Sequence, residues 1–155
     1  MSNHDFDFLF GRWTVRNRRL KECLAGSDEW IEFDATCVAR PVWGGIANMD
    51  EYEALDTPIG EIHGMTLRLF DEKSGQWAIY WANQKRGRLD PPMFGAWKDG
   101  LGEFYDQEPF GDRMVYVRFL WTNDGPDAAR WEQAFSADGG RTWETNWIMQ
   151  FERAS

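Results

Sequence analysis

Along most of this chain apolar and polar residues alternate in short runs, and turn-forming residues break those runs at regular intervals. Alternation with a period of two marks a strand that turns one face inward. Read this way, the sequence predicts strands over 12–23, 29–40, 46–54, 62–70, 76–85, 92–98, 101–107, 113–122, 128–136 and 143–153. Tight-turn sequences lie between them: Gly26-Ser27, Asp71-Glu72-Lys73-Ser74-Gly75, Asp99-Gly100 and Asn123-Asp124-Gly125-Pro126. Phe6, Leu9 and Phe10 share i, i+3, i+4 spacing and predict a short helical turn over 5–11. No long helix separates the strands, so parallel crossovers are excluded and the sheet is antiparallel. A meander of about ten strands leaves two exposed edges unless it closes. The predicted fold is therefore all-β, a single antiparallel up-and-down β-barrel over residues 1–155 with a short N-terminal helical turn. Such a barrel is wide enough for one small ligand. A two-sheet sandwich without a cavity is the alternative.

The alternation also assigns faces. The inward sets are Trp13, Val15, Asn17 and Arg19 in the first strand, and Ile31, Phe33, Ala35, Cys37 and Ala39 in the second. They are His63, Met65, Leu67 and Leu69 in the fourth, and Trp77, Ile79, Trp81 and Asn83 in the fifth. In the eighth they are Val115, Val117, Phe119 and Trp121. Trp131, Gln133 and Phe135 follow in the ninth, and Thr145, Trp147, Met149, Phe151 and Arg153 in the last. Ten tryptophans in 155 residues give these faces their character. Repeated indoles either fill a core or line a pocket. Trp77, Trp81, Trp131 and Trp147 are the candidate walls, and Asn17, His63, Asn83 and Gln133 the polar groups that ride among them. An apolar pocket with few convergent polar groups is the usual anatomy of a small-molecule site. The same polar groups can instead be satisfied by neighbouring backbone or trapped water.

Charge narrows the partners. A net charge of −9 disfavours a nucleic-acid backbone or an anionic membrane. The basic run Arg12, Arg16, Arg18, Arg19 and Lys21 reads as a solvated strand face. No apolar run is long enough to span a bilayer, and no signal-peptide pattern opens the sequence, so a cytoplasmic location is expected. A small apolar ligand and a homodimer remain open as partners. The cysteines are Cys23 and Cys37. With the first turn at Ala25-Gly26-Ser27-Asp28, opposed residues sum to about 53, which sets Cys23 against Trp30 and Cys37 against Arg16. The thiols do not meet, and both read as buried and structural.

Two motifs sharpen the fold. Gly11-Arg12-Trp13 opens the first strand directly after the helical turn, and Arg153 lies at the end of the last strand. A guanidinium over an indole face gains a cation–π contact and shields the ring from water. This arrangement resembles the calycin superfamily, which includes lipocalins and fatty-acid-binding proteins, and the resemblance implies that Trp13 and Arg153 close the barrel base. Over its whole length the chain is similar to bacterial calycin-like β-barrel proteins of unknown function, which implies the fold and no catalytic residue. The second motif, Ser136-Ala137-Asp138-Gly139-Gly140-Arg141-Thr142-Trp143, is similar to the Asp-box of sialidases, Ser-x-Asp-x-Gly-x-Thr-Trp. The resemblance implies a structural hairpin in which Asp138 bonds the turn and Trp143 packs beneath it.

Cofactor and enzyme chemistry find little support. The ten-stranded haem-binding nitrobindins continue Gly-x-Trp with two more glycines and hold haem with a His near the C-terminus. Here those positions are Val15 and Asn17, and no His follows His63. Zinc lacks a cluster of His and Cys, so no cofactor is expected. Every serine falls at a terminus or in a predicted turn, without a nucleophile elbow, and no phosphate-binding loop occurs. Acid–base chemistry of an isomerase, cyclase or decarboxylase kind remains as an alternative. It would need a buried carboxylate among Asp50, Glu51 and Glu53, with Tyr116 or Arg118 opposite. A filled barrel serving as an interaction module, with Trp43 at an interface, is the third reading.

Overall fold

The computed structural model describes residues 2–154. Ten strands follow a short 3-10 turn at Asp7–Leu9: β1 (Gly11–Leu20), β2 (Trp30–Val42), β3 (Ala47–Ala54), β4 (Ile62–Asp71), β5 (Gln76–Asn83), β6 (Met93–Lys98), β7 (Leu101–Phe110), β8 (Arg113–Asn123), β9 (Ala128–Ser136) and β10 (Glu144–Arg153). Each strand pairs antiparallel with the next, and β10 pairs back onto β1, so the sheet closes into an up-and-down barrel with no free edge. The sandwich alternative is excluded by that closure.

One end of the barrel, the base, carries short connections over 43–46, 72–75, 99–100 and 124–127. The other end carries the longer connections 21–29, 55–61, 84–92 and 137–143. The base is sealed by its own sequence. Arg153 lies with its guanidinium 4.2 Å from the Trp13 ring centroid. Its nitrogens donate to the carbonyls of Phe8, Phe10 and Pro126 at 2.7–2.8 Å. The Trp13 indole N–H donates to Leu9 O at 2.7 Å. One side chain thus ties together the N-terminal turn, β1, β10 and the 124–127 connection. Gly11 makes the approach possible: its φ is +114°, and a Cβ there would sit 2.7 Å from the Arg153 Nη1.

Most inward faces follow the alternation. Trp13, Val15, Phe33, Ala35, Cys37, Trp77, Ile79, Val115, Val117, Trp121, Trp131, Met149 and Phe151 are all buried. Two expectations fail. In β1–β2 the opposed residues sum to 50, not 53: Trp13 faces Cys37, and Arg16 faces Asp34. The strand ends at Leu20, and the Lys21 N–H to Glu29 O bond closes a longer loop that leaves Cys23 outside the ladder. Both thiols are free; Cys37 is buried, whereas Cys23, read as buried from the sequence, is only half-buried.

The second failure is β4. Its buried positions are Thr66 and Arg68, while Met65 is exposed and His63 is half-exposed. The face that looked apolar points outward. Arg68 turns inward because Asp50, inward on β3, accepts a 2.6 Å hydrogen bond from its Nη2, and Asn48 accepts another from Nη1 at 3.0 Å. A buried guanidinium with its charge paired and its planar faces against Phe6 (4.9 Å) and Trp121 (5.6 Å) is tolerated inside a barrel.

The Ser136–Trp143 segment forms the hairpin between β9 and β10. Asp138 accepts from Ser136 Oγ (2.8 Å), Thr142 N (2.9 Å) and Thr142 Oγ1 (2.6 Å). These bonds, that from the Thr142 hydroxyl foremost, lower its pKa to about 2. Trp143 lies outside the barrel wall beneath the Arg118 guanidinium, 4.5 Å away, and beside Tyr105.

Candidate functional site

The lumen has two unlike halves. Towards the base it is solid. The N-terminal turn inserts Phe6, which is 0% exposed, into a ring of aromatic neighbours. Trp77, Trp97, Phe104 and Trp121 have their centroids 5.0, 5.3, 5.8 and 6.0 Å from it. Trp77, placed among the pocket walls by sequence, belongs to this plug and does not line the open space. Its indole N–H is spent on Asp5, at 3.0 Å.

Above the plug lies a cavity of about 240 Å³. Ile79, Met93, Trp121 and Phe151 form its floor. Trp81, Trp131, Trp147, Tyr52, Phe119 and Phe135 are its walls. The walls pack edge to face: Trp131 against Trp147 at 5.6 Å, Phe119 against Trp131 at 4.9 Å, and Tyr52 against Trp81 at 6.2 Å. Such pairs prefer edge-on contact because of the aromatic quadrupole. Gly64 on β4 makes room for Trp81, since a Cβ at that position would lie 1.9 Å from the indole ring.

Of the predicted ligand-contacting residues, Trp81, Trp131, Gln133 and Trp147 line this cavity. Asn17 does not. It is 0% exposed, and its amide is occupied by protein: Nδ2 donates to Val15 O and Phe33 O, and Oδ1 accepts from Tyr52 Oη (2.8 Å) and Trp147 Nε1 (3.0 Å). Asn17 therefore holds two wall side chains from behind. Burial pushes the Tyr52 hydroxyl's pKa well up, so it stays a neutral donor. Asn83 lines a separate recess at the top, and its Oδ1 accepts from Lys85 N. His63 is the plain correction. It sits on the outer wall between Glu61 (3.1 Å) and Glu53 (3.6 Å), away from the lumen.

Polar groups that the alternation did not single out also reach the cavity. Asp50 and Arg68 form a buried pair at its edge, and Asp90 and Glu108 join the lining, together with Arg19, which the alternation had placed inward. Glu108 stands on the inward face of β7, two residues beyond Asp106. Burial, then the hydrogen bond and charge of Asp106, then the charge of Asp90, raise its pKa to about 7. The alternating acids Asp106 and Glu108 were a signal in the sequence, obscured by Pro109 and the polar run around them. Glu51 and Glu53 lie on the outer surface, Tyr116 is exposed, and Arg118 covers Trp143 outside the wall. The proton-transfer pair that the alternative required is absent from the lumen; of Asp50, Glu51 and Glu53 only Asp50 is inside, held by Arg68. Among the described residues no group of three or more His, Cys, Asp or Glu side chains is arranged to hold a metal ion.

Sequence comparison adds no relative. No protein-family model matches the chain, and no curated protein matches it. Solved structures do resemble it in fold. A redesigned β-barrel, b11L5F_LGL, superposes with a TM-score of 0.54 at 10% identity, covering 100% of this chain and 98% of the other. The structure of EF1p2_mFAP2b bound to DFHBI superposes with a TM-score of 0.53 at 10% identity, covering 99% and 100%. At that identity the likeness speaks for the closed barrel alone. No helix among the described residues is long and apolar enough to cross a membrane.

Proposed function

We propose that this barrel binds a small, mostly apolar or aromatic molecule in the upper half of its lumen. The observation that carries the reading is the open space between Trp81, Trp131 and Trp147. Its volume of about 240 Å³ falls below the ~300–1,000 Å³ of pockets for drug-sized ligands, so its occupant is small. The similar barrel of EF1p2_mFAP2b is bound to DFHBI, which is compatible with this use of the architecture. Trp81, Trp131 and Trp147 supply flat apolar contact, and Gln133, whose Nε2 donates to Asn146 Oδ1 at 2.8 Å, marks the polar side. We read the Trp13–Arg153 closure as of calycin type and the Asp138 hairpin as an Asp-box with a structural role. Two free thiols go with a reducing, cytoplasmic setting. A homodimer is compatible with all of this.

The test is native mass spectrometry of freshly purified protein, followed by thermal unfolding with a library of small aromatic and aliphatic compounds. A retained small molecule, or compounds that raise Tm in proportion to the logarithm of their concentration, is the expected result. No retained mass and a flat Tm across the library would remove the reading.

A further inference from the structure

Two arginines line the cavity, and their situations differ. Arg68 is bound to Asp50 and Asn48. Arg19, inward at the top of β1, has no carboxylate within ion-pair distance among the described residues. It lies over Trp147, its guanidinium carbon 4.3 Å from the ring centroid. On the outward face of β1, Arg16 meets Asp34 at 3.0 Å and Glu32 at 3.8 Å, while Arg18 lies over Trp30 at 4.8 Å in the open, away from any cavity. The acids near Arg19 are engaged elsewhere. Glu144 Oε1 accepts from Leu24 N, and Glu61, which shares the top recess with Arg19, is bonded to His63.

Arg19, Trp81 and Trp147 line both the cavity and that recess, so Arg19 stands at the partition between them. Burial lowers its pKa, which reports a cation stripped of part of its water. An unpaired guanidinium in such a place retains its planar fork of donors for an incoming acceptor. The cavity's other acids, Glu108 and Asp90, come from β7 and the 84–92 connection, neither adjacent to β1 in the barrel, and Asp90 meets Arg86 at 2.9 Å.

We propose that Arg19 selects the ligand: it takes an oxyanion head, carboxylate or phosphate, carried on an apolar or aromatic body that fills the space between Trp81, Trp131 and Trp147. This rests on the cavity being a binding site, as argued above. The indole of Trp147 holds the guanidinium plane in place, and the head is received on the side that faces the recess. The body then lies over the floor, away from Arg68, whose charge Asp50 already neutralises.

The experiment compares near-isosteric probes by isothermal titration calorimetry on the full-length protein: phenylacetate, phenylacetamide, phenethylamine and phenyl phosphate. The expected order places an anion ahead of the neutral amide by about tenfold or more, the range of one charge-assisted hydrogen-bonded contact. Whether phenylacetate or phenyl phosphate leads identifies the head. Arg19→Met should erase the preference, lowering the anions' affinity by about tenfold more than the amide's. The wild-type comparison needs no variant, so it stands even if Arg19→Met folds poorly. Equal binding of amide and anions, or a lead for the amine, would overturn the role of Arg19 while leaving the apolar site intact. Absence of binding by every probe, together with flat thermal shifts across the wider library, would overturn both.

Discussion

The lower and upper halves of this barrel are made from the same alternating strands and the same kinds of aromatic residue, yet one is solid and the other hollow. The difference is an insertion. Below, the N-terminal turn places Phe6 and Leu9 within the ring of inward side chains, and Arg153 fastens that turn to the wall. Above, none of the described segments fills the lumen, and the 84–92 connection only lines it through Asp90 and Pro91. The aromatic rings stand on the wall, steadied from behind by Asn17, and the space between them stays open. Aromatic content therefore does not decide whether a small barrel is a core or a container; whether a segment plugs it does.

The sharpest way to break that contrast is to truncate one ring in each half. Phe6→Ala should cost about 3–5 kcal/mol, because the plug has no means of collapsing around the void. Trp81→Ala, in a wall already beside open space, should cost about 1–2 kcal/mol and abolish ligand-dependent shifts in Tm. Urea unfolding of both variants decides it. Equal losses would mean that the upper half is packed like the lower one.

Gly11→Ala probes the fastening of the plug. With φ at +114° and Arg153 Nη1 at 2.7 Å from the new Cβ, it should destabilise by about 1–3 kcal/mol. Ligand affinity should be unchanged, since the perturbation lies at the base. A variant as stable as the wild type would show that Arg153 relocates freely and that the base is not a rigid closure.

How far the sequence revealed this follows from the same contrast. Strand number, order and the closing pair Trp13 and Arg153 were legible, because alternation and turn chemistry are local. The β4 face was not. His63, Met65, Leu67 and Leu69 are more apolar than Thr66 and Arg68, and the alternation rule follows apolarity. The inward charge on Arg68 is intelligible only with Asp50 across the ladder, where Asp50 opposes Thr66 and Asn48 opposes Arg68. Register would have corrected both errors. Inward sets with odd numbers on β1 and β2 can face each other only if opposed numbers sum to an even value, as the observed 50 does and 53 does not. Likewise an inward Trp77, opposite Phe70, forces Phe70, Arg68 and Thr66 inward. The cavity itself was beyond reach of pattern, because it depends on where Phe6 stops and on the room Gly64 leaves for Trp81.

The smallest effect concerns charge, and it separates the halves again. The pair of Asp50 and Arg68 beside the plug is neutralised internally, whereas Glu108 faces open space beside Asp106 and carries a pKa raised to about 7 from the usual 4.5. A carboxyl with a raised folded-state pKa binds its proton more tightly in the folded chain. Its contribution to stability is therefore present at pH 4.5 and below, declines as the pH rises, and is gone above about 7. Because Glu108 is partly open to solvent, screening trims this contribution to about 1 kcal/mol. Glu108→Gln, which cannot ionise, should remove that decline: relative to the wild type it gains stability between pH 5 and pH 8. Urea unfolding at intervals across that range, taken as the difference between the two proteins so that other titrations cancel, measures it. A difference that stays level with pH would show that Glu108 ionises as freely as a surface carboxylate, and that the upper half is open to bulk water.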